Sequence, residues 1–345
     1  MSSFSLFAFD SKRENLLHEL QKFQYVHFVD ADEDEFLADE GLQSVEVPES
    51  LVAIEEEIIK VKYSIDLLSK YYSRDSGIKA LRKGKESFSF DELEERASKI
   101  DYHGVYNKLK EIDTKKEALN QEVIKLNTLA DELSHWIKLD TPIKDLSLFE
   151  HSQIFLGIIP KKLKQKVQSE LTDTELTYFE IISEDKDNLY VMVLTYKSEE
   201  EAVKDILRNN SFSTIKLIGE DTPENEIALI NARIKELEDR ISEYEKEILA
   251  LADNLPDFEI VFDYLMNKKL RIVSSQKFLR TERVNIIRGY IPTDMVSEFT
   301  EIVKRALDNI YYLEIKDAGK DDPNVPILLK NSKFAQTFES LTSMY

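Results

Sequence analysis

From Ile227 to Leu265 apolar and aromatic side chains recur at alternating spacings of three and four. They are Ile227, Ile230, Ile234, Leu237, Ile241, Tyr244, Ile248, Leu251, Leu255, Phe258, Phe262 and Leu265, with mostly charged residues and Asn between them. That is a heptad seam, and it predicts a helix needing a partner along its whole length. Asp221-Thr222-Pro223-Glu224 marks its start: a capping residue, a Pro in the first turn, and acid at the positive end of the helix dipole. Run on to Ser274, the helix would span about 75 Å at 1.5 Å per residue, too long for a small globular domain and suited to a spacer.

A second seam begins after Asp91: Tyr102, Val105, Leu109, Ile112, Lys116, Leu119, Val123, Leu126, Ala130, Leu133 and Ile137, ending before Pro142. Lys116 interrupts it, a device that sets register at a cost in stability. This helix is the expected antiparallel partner of the first, in a left-handed supercoil. A third pattern, Leu51, Ile54, Ile58, Val61, Ile65, Leu68 and Tyr72, follows Pro48-Glu49-Ser50 and predicts a helix packed on part of that pair.

The remaining segments carry strand patterns. Phe4–Phe9 reads as a short buried strand, followed by a helix (Leu16, Leu17, Leu20, Phe23) capped by Asp10 or Ser11, and by a strand at Tyr25–Val29. Between the long helices lie strands at Gln153–Ile159, Tyr178–Ile182, Leu189–Thr195 and Phe212–Ile218. Helices at Pro160–Leu171 and Ser198–Arg208 complete a β-α-β-β-α-β order, the ferredoxin-like pattern. Val284–Ile291, Pro292–Asn309 and Tyr311–Ile315 add a β-α-β that would complete a second such lobe with the N-terminal one.

The expected fold is therefore α+β: a long antiparallel α-helical coiled-coil rod capped at each end by a small lobe. The proximal lobe takes residues 1–48 and 278–318, the rod 49–142 and 221–277, the distal lobe 143–220, and a linker 319–345. An internal repeat supports the paired lobes. Ile154-Phe155-Leu156-Gly157-Ile158-Ile159-Pro160 resembles Ile286-Ile287-Arg288-Gly289-Tyr290-Ile291-Pro292, each followed by a helix and a strand. Gly in a strand allows a bulge or a close approach, and Pro suits a first helical turn. Gly157, Pro160, Gly289, Tyr290 and Pro292 are the structural motif positions.

Net charge of −21 disfavours nucleic acid or an anionic membrane surface as partner. With no Cys, disulfides and thiol chemistry are excluded. No apolar run approaches the roughly 18–20 residues of a membrane span. Asp30, Asp32 and Asp34 have calcium-loop spacing, but Glu35 and Gly41 stand where Gly and Glu are required. Gly77–Lys85 departs from a phosphate loop in glycine spacing and at Glu86. His18, His27, His103, His135 and His151 form no ligand pair. No catalytic residue, cofactor, metal or small-molecule substrate is expected. Trp136 is expected to anchor the rod to the distal lobe. Lys161, Lys162, Lys164 and Lys166 form a basic cluster where the helix dipole disfavours cations. They are candidates for docking an acidic partner.

A β-α-β lobe split by a helical hairpin, a second lobe beyond it, Gly289-Tyr290-Ile291-Pro292, and the tail Asp322-Pro323-Asn324-Val325-Pro326-Ile327-Leu328-Leu329-Lys330-Asn331 with Phe334, Phe338 and Met344-Tyr345 carry a family resemblance. Over its whole length the chain resembles the N-terminal cytoplasmic half of the large membrane subunit of rotary V-type and archaeal A-type ATPases, called subunit a or, in prokaryotes, subunit I. The resemblance implies a stator, not an enzyme: both lobes receive peripheral stalks of subunits E and G at the cytoplasmic face of a membrane complex. The membrane domain of the same subunit, and through it the rotor ring, would follow beyond Tyr345. The chain is then expected to be a soluble fragment lacking the ion-path residues. The alternative is a free-standing cytosolic coiled-coil adaptor, which would not need the tail.

Overall fold

The computed structural model describes residues 1–29, 43–44, 49–74, 88–281, 283–319 and 325–326. The calcium-like spacing, the Gly77–Lys85 segment and nearly all of the tail motif lie outside the described residues. In chain order the elements are β1 (Ser2–Phe9), α1 (Arg13–Phe23), β2 (His27–Phe28), β3 (Gln43–Ser44), α2 (Glu49–Leu68), α3 (Phe90–Lys99), α4 (Tyr102–Ser134), β4 (Ser152–Pro160) and α5 (Lys164–Thr172). There follow β5 (Thr177–Glu184), β6 (Asn188–Tyr196), α6 (Glu200–Asn209), β7 (Ser213–Thr214), α7 (Pro223–Leu251), α8 (Leu255–Ser275), β8 (Leu279–Arg280), β9 (Val284–Ile291), α9 (Val296–Ala306) and β10 (Tyr311–Asp317). Helix dominates, with two antiparallel sheets. The chain forms two compact units, Met1–Tyr106 with Leu251–Tyr345, and Asn107–Ala250.

In the first unit the sheet order is β10-β1-β9-β8-β3, with β2 also on β9. Of the four expected strands, the fourth and third flank the first, and the second joins the third. Alternation puts Phe4, Leu6 and Ala8 of β1 under α1 and α9, against Leu16, Leu20, Phe23, Phe299 and Val303. Phe4 and Phe299 meet at 4.8 Å between ring centroids. The fully buried strand expected at Phe4–Phe9 is corrected to a one-faced strand: Phe7 lies edge-on to Tyr312, and Phe9 is exposed. Neither Asp10 nor Ser11 caps α1, because Asp10–Lys12 form a 3₁₀ turn first. In the same unit α2 lies antiparallel to α8, with Glu55 2.7 Å from Lys269 and Arg74 paired to Glu259. Its predicted seam faces inward: Leu51, Ile54, Val61 and Leu68 are buried.

In the second unit the order is β5-β6-β4-β7. Numbered along the chain, these strands lie second-third-first-fourth, which is the same arrangement as in the first unit. One sheet face packs Ile159, Val191 and Val193 under Val167 and Leu171 of α5 and Val203 and Leu207 of α6. The other face packs Leu156, Ile182 and Tyr190 around Trp136 and Leu139. Within this unit α4 and α7 run antiparallel. Leu133, Ile230 and Ile234 share a cluster with Val123, Leu126 and Ala130. Arg233 reaches Glu122 at 3.0 Å and Lys116 reaches Glu245 at 3.5 Å.

Both long helices are interrupted where one run was expected. The outgoing helix breaks at Ile100, which is extended (φ −89°, ψ 119°), and restarts as the Asp101 carboxylate accepts from the Gly104 N–H at 3.1 Å. The return helix passes through a 3₁₀ turn at Ala252–Asn254 ahead of Pro256. The Pro ring would collide with the carbonyl four residues back in an unbroken helix. The outgoing helix also ends at Ser134, so the seam loses phase: Ile137 is exposed and Trp136 is buried in its place. The strands expected at Tyr25–Val29 and Phe212–Ile218 pair over only two residues each.

Candidate functional site

The two copies of the repeat have closely matching backbones. Pro160 (φ −59°, ψ 131°) ends β4 and Pro292 (φ −60°, ψ 132°) directly follows β9, each before a 3₁₀ turn, Lys161–Leu163 and Thr293–Met295, that leads into a helix. Each Pro therefore sits ahead of the helix rather than in its first turn. Phe9 (φ −65°, ψ 141°) does the same before Asp10–Lys12, so the device does not require Pro. Gly157 pairs with Val191 and Thr214, and Gly289 with Phe4 and Phe28. A Cβ would lie 2.4 Å from the Ser213 carbonyl oxygen at the first and 2.4 Å from that of His27 at the second. Close approach, not a bulge, is what each Gly provides, and in each case the approaching chain is the short edge strand. The two motif strands also hold equivalent places in their sheets, each between the short strand and a long central one. Tyr290 follows Gly289 on β9, opposite His27 and Ser3.

The four lysines differ in their surroundings. Lys161, Lys162 and Lys166 are exposed and Lys164 is half-buried. Lys161 Nζ donates to Glu184 Oε1 at 2.9 Å and to the Asp185 carbonyl at 3.4 Å. Lys166 lies 3.7 Å from Glu170. Glu184 is held below the usual carboxylate range by that bond to Lys161, with Lys164 adding to it. Such exposed pairs are screened by solvent and can be exchanged for a partner's carboxylate at little cost. Lys162 and Lys164 face no Asp or Glu within ion-pair distance among the described residues. The local positive charge is therefore carried mainly by these two side chains at the start of α5. The turn opposite is tied by its own hydrogen bonds: the Asp185 carboxylate accepts from the N–H groups of Asp187 and Asn188 and from the Tyr190 hydroxyl. Those backbone bonds hold its pKa below the ordinary value.

Sequence reasoning placed no role on Glu57. Its carboxylate accepts from the Tyr102 hydroxyl at 2.9 Å and lies 3.5 Å from His103. Tyr102 is pushed well up, by burial first and by Glu57 second. These residues are far apart in sequence, and only the packing of α2 beside the start of α4 unites them. Among the described residues no group of three or more His, Asp or Glu is placed to hold a metal ion, and no helix is long and apolar enough to cross a membrane.

No family model matches the chain. It is a homologue of proteins named A-type ATP synthase subunit I, as the sequence resemblance led us to expect. The one from Methanocaldococcus jannaschii is 25% identical over 309 residues, covering 84% of this chain and 44% of that protein. Those from Pyrococcus horikoshii (24% over 194 residues; 55% and 29%) and Thermococcus kodakarensis (23% over 273 residues; 76% and 41%) are similar too. The chain spans less than half the length of these relatives. A solved structure of the cytoplasmic N-terminal domain of subunit I, homolog of subunit a, of V-ATPase aligns over 91% of this chain and all of that one, at 13% identity and a TM-score of 0.43.

Proposed function

We propose that this chain is the cytoplasmic part of a rotary ATPase stator, tying peripheral stalks to the membrane ion channel and resisting torque during ATP-coupled H⁺ or Na⁺ transport. The observation that carries the reading is homology with subunit I over most of the chain. In this reading the paired helices form a rod, 49–142 with 221–277, between ferredoxin-like lobes at 1–48 with 278–318 and at 143–220. Residues 319–345 lead to a membrane domain that works against the rotor ring. The matching strand orders and the repeat around Gly157 and Gly289 support two lobes of one design. Long seams such as Ile230, Ile234, Leu237 and Ile248 support a load-bearing role, since bending the helices would unpack buried side chains.

The chain performs no chemistry in this account. Stalk subunits E and G dock at both lobes, and Lys162 and Lys164, flanked by Lys161 and Lys166, take an acidic stretch of a stalk. The test is titration of Met1–Tyr345 with the purified E–G pair. Saturable binding is expected, weakened by reversing all four lysines to Glu and by raising salt. Unchanged affinity after reversal removes the lysine role. No binding by the wild-type chain overturns the stator reading.

A further inference from the structure

The distal half of the second sheet face in the unit Asn107–Ala250 is uncovered. Cross-strand partners share a face, and Tyr178 pairs with Leu194, which pairs with Ile154. Ile154 packs in the Trp136 cluster, so these residues continue the face that Trp136 and Leu139 cover at its other end. Tyr196, two residues beyond Leu194, lies on it too. Tyr178, Tyr196 and the adjoining Leu176 are 55%, 44% and 57% exposed. They line a shallow depression of about 330 Å³ with Glu175 and Ser152. The surface is preorganised. The Glu199 carboxylate accepts from the N–H groups of Glu175 and Leu176 and from the Thr177 hydroxyl, and the His151 ring stacks on Tyr196.

Its charge says what covers it. Glu180 accepts from the Tyr178 hydroxyl at 3.3 Å, and its negative charge holds the Tyr178 pKa up. Neither Glu180 nor Glu175 has a Lys or Arg within ion-pair distance among the described residues. Two uncompensated carboxylates beside two open phenol rings suit a cation that lies over a ring and pairs with an acid. The apolar remainder suits the hydrophobic side of a helix. The same carboxylates repel an anionic lipid surface.

We propose that this aromatic and acidic face seats a helix of the peripheral stalk that carries Lys or Arg beside apolar residues. The inference rests on the stator reading above, and uses a stretch of the stalk of opposite charge to the one the lysines would take. The probe is the purified E–G pair, titrated into Met1–Tyr345 and into two variants, Glu180→Lys and the double variant Tyr178→Ser with Tyr196→Ser. Circular dichroism confirms that each variant is folded. Because central aromatic anchors dominate interface affinity, the double variant is expected to raise Kd at least about tenfold. Glu180→Lys is expected to raise it less and to flatten the salt dependence. If the wild type binds and both variants bind equally well, this surface is not the seat, while the stator reading stands. If the wild type fails to bind, the stator reading falls and this inference with it. If sedimentation shows a wild-type dimer that the double variant dissolves, the face belongs to a second copy and the proposal is overturned.

Discussion

Replacing Gly157 by Ala tests the close-approach device directly. The new Cβ would stand 2.4 Å from the Ser213 carbonyl oxygen and 2.4 Å from Phe212 Cζ. The Phe ring can swing away, but the carbonyl belongs to backbone already paired to β4, so the short edge strand must retreat. Overpacking of this kind costs about 1–3 kcal/mol. The bond from the Ile215 N–H to the Leu156 carbonyl, 2.8 Å long, is strained with it. The chain's single Trp, Trp136, is buried in the same unit and reports its unfolding by fluorescence. With a urea slope of about 1–3 kcal/mol per molar, a cost of about 2 kcal/mol lowers the midpoint by roughly 1 M. Hydrogen exchange at the Ile215 amide should accelerate. Gly319→Ala is the control, since a Cβ there meets nothing within 4 Å. A Gly157→Ala midpoint equal to wild type would refute the reasoning.

Leu237→Ala should cost about 2–5 kcal/mol by denaturation, because Leu237 is fully buried in the α7 seam, whereas Leu229→Ala, on the exposed side, should cost under about 0.5 kcal/mol. Arg233→Ala should leave the denaturation midpoint nearly unchanged, and a double-mutant cycle with Glu122→Ala should show little coupling, since both side chains are more than two-fifths exposed. Asp185 has a folded pKa below its unfolded value, so its contribution is complete above about pH 4 and is lost as pH falls through the folded value. Asp185→Asn should therefore flatten the acid limb of a stability–pH profile followed by Trp136 fluorescence.

The features legible in the sequence are those that repeat. The seam through Ile230, Ile234, Leu237 and Ile248 announces itself because each buried residue is backed by others at the same phase. Strand β9 runs over the residues its pattern marks, Val284–Ile291, because one face alternates cleanly. Features set by single local events were missed. The break at Ile100 depends on one carboxylate reaching one N–H, and the turn at Ala252 on the single Pro256 within a continuous heptad pattern. Strands β3 and β8 are two residues long and carry no period. The lysine cluster was readable as charge, and the Lys166–Glu170 pair as an i,i+4 spacing on one helix, but the pairing of Lys161 depends on Glu184 arriving from β5. The Tyr178–Tyr196 face was invisible for the same reason: strand pairing brings the two rings to one face.

The most direct test of the stator account is to isolate the protein from its source cells under mild detergent and identify what accompanies it. The account predicts stoichiometric recovery with the catalytic and stalk subunits of a rotary ATPase, retained through size exclusion. Recovery alone, or with partners that include no ATPase subunit, would contradict it.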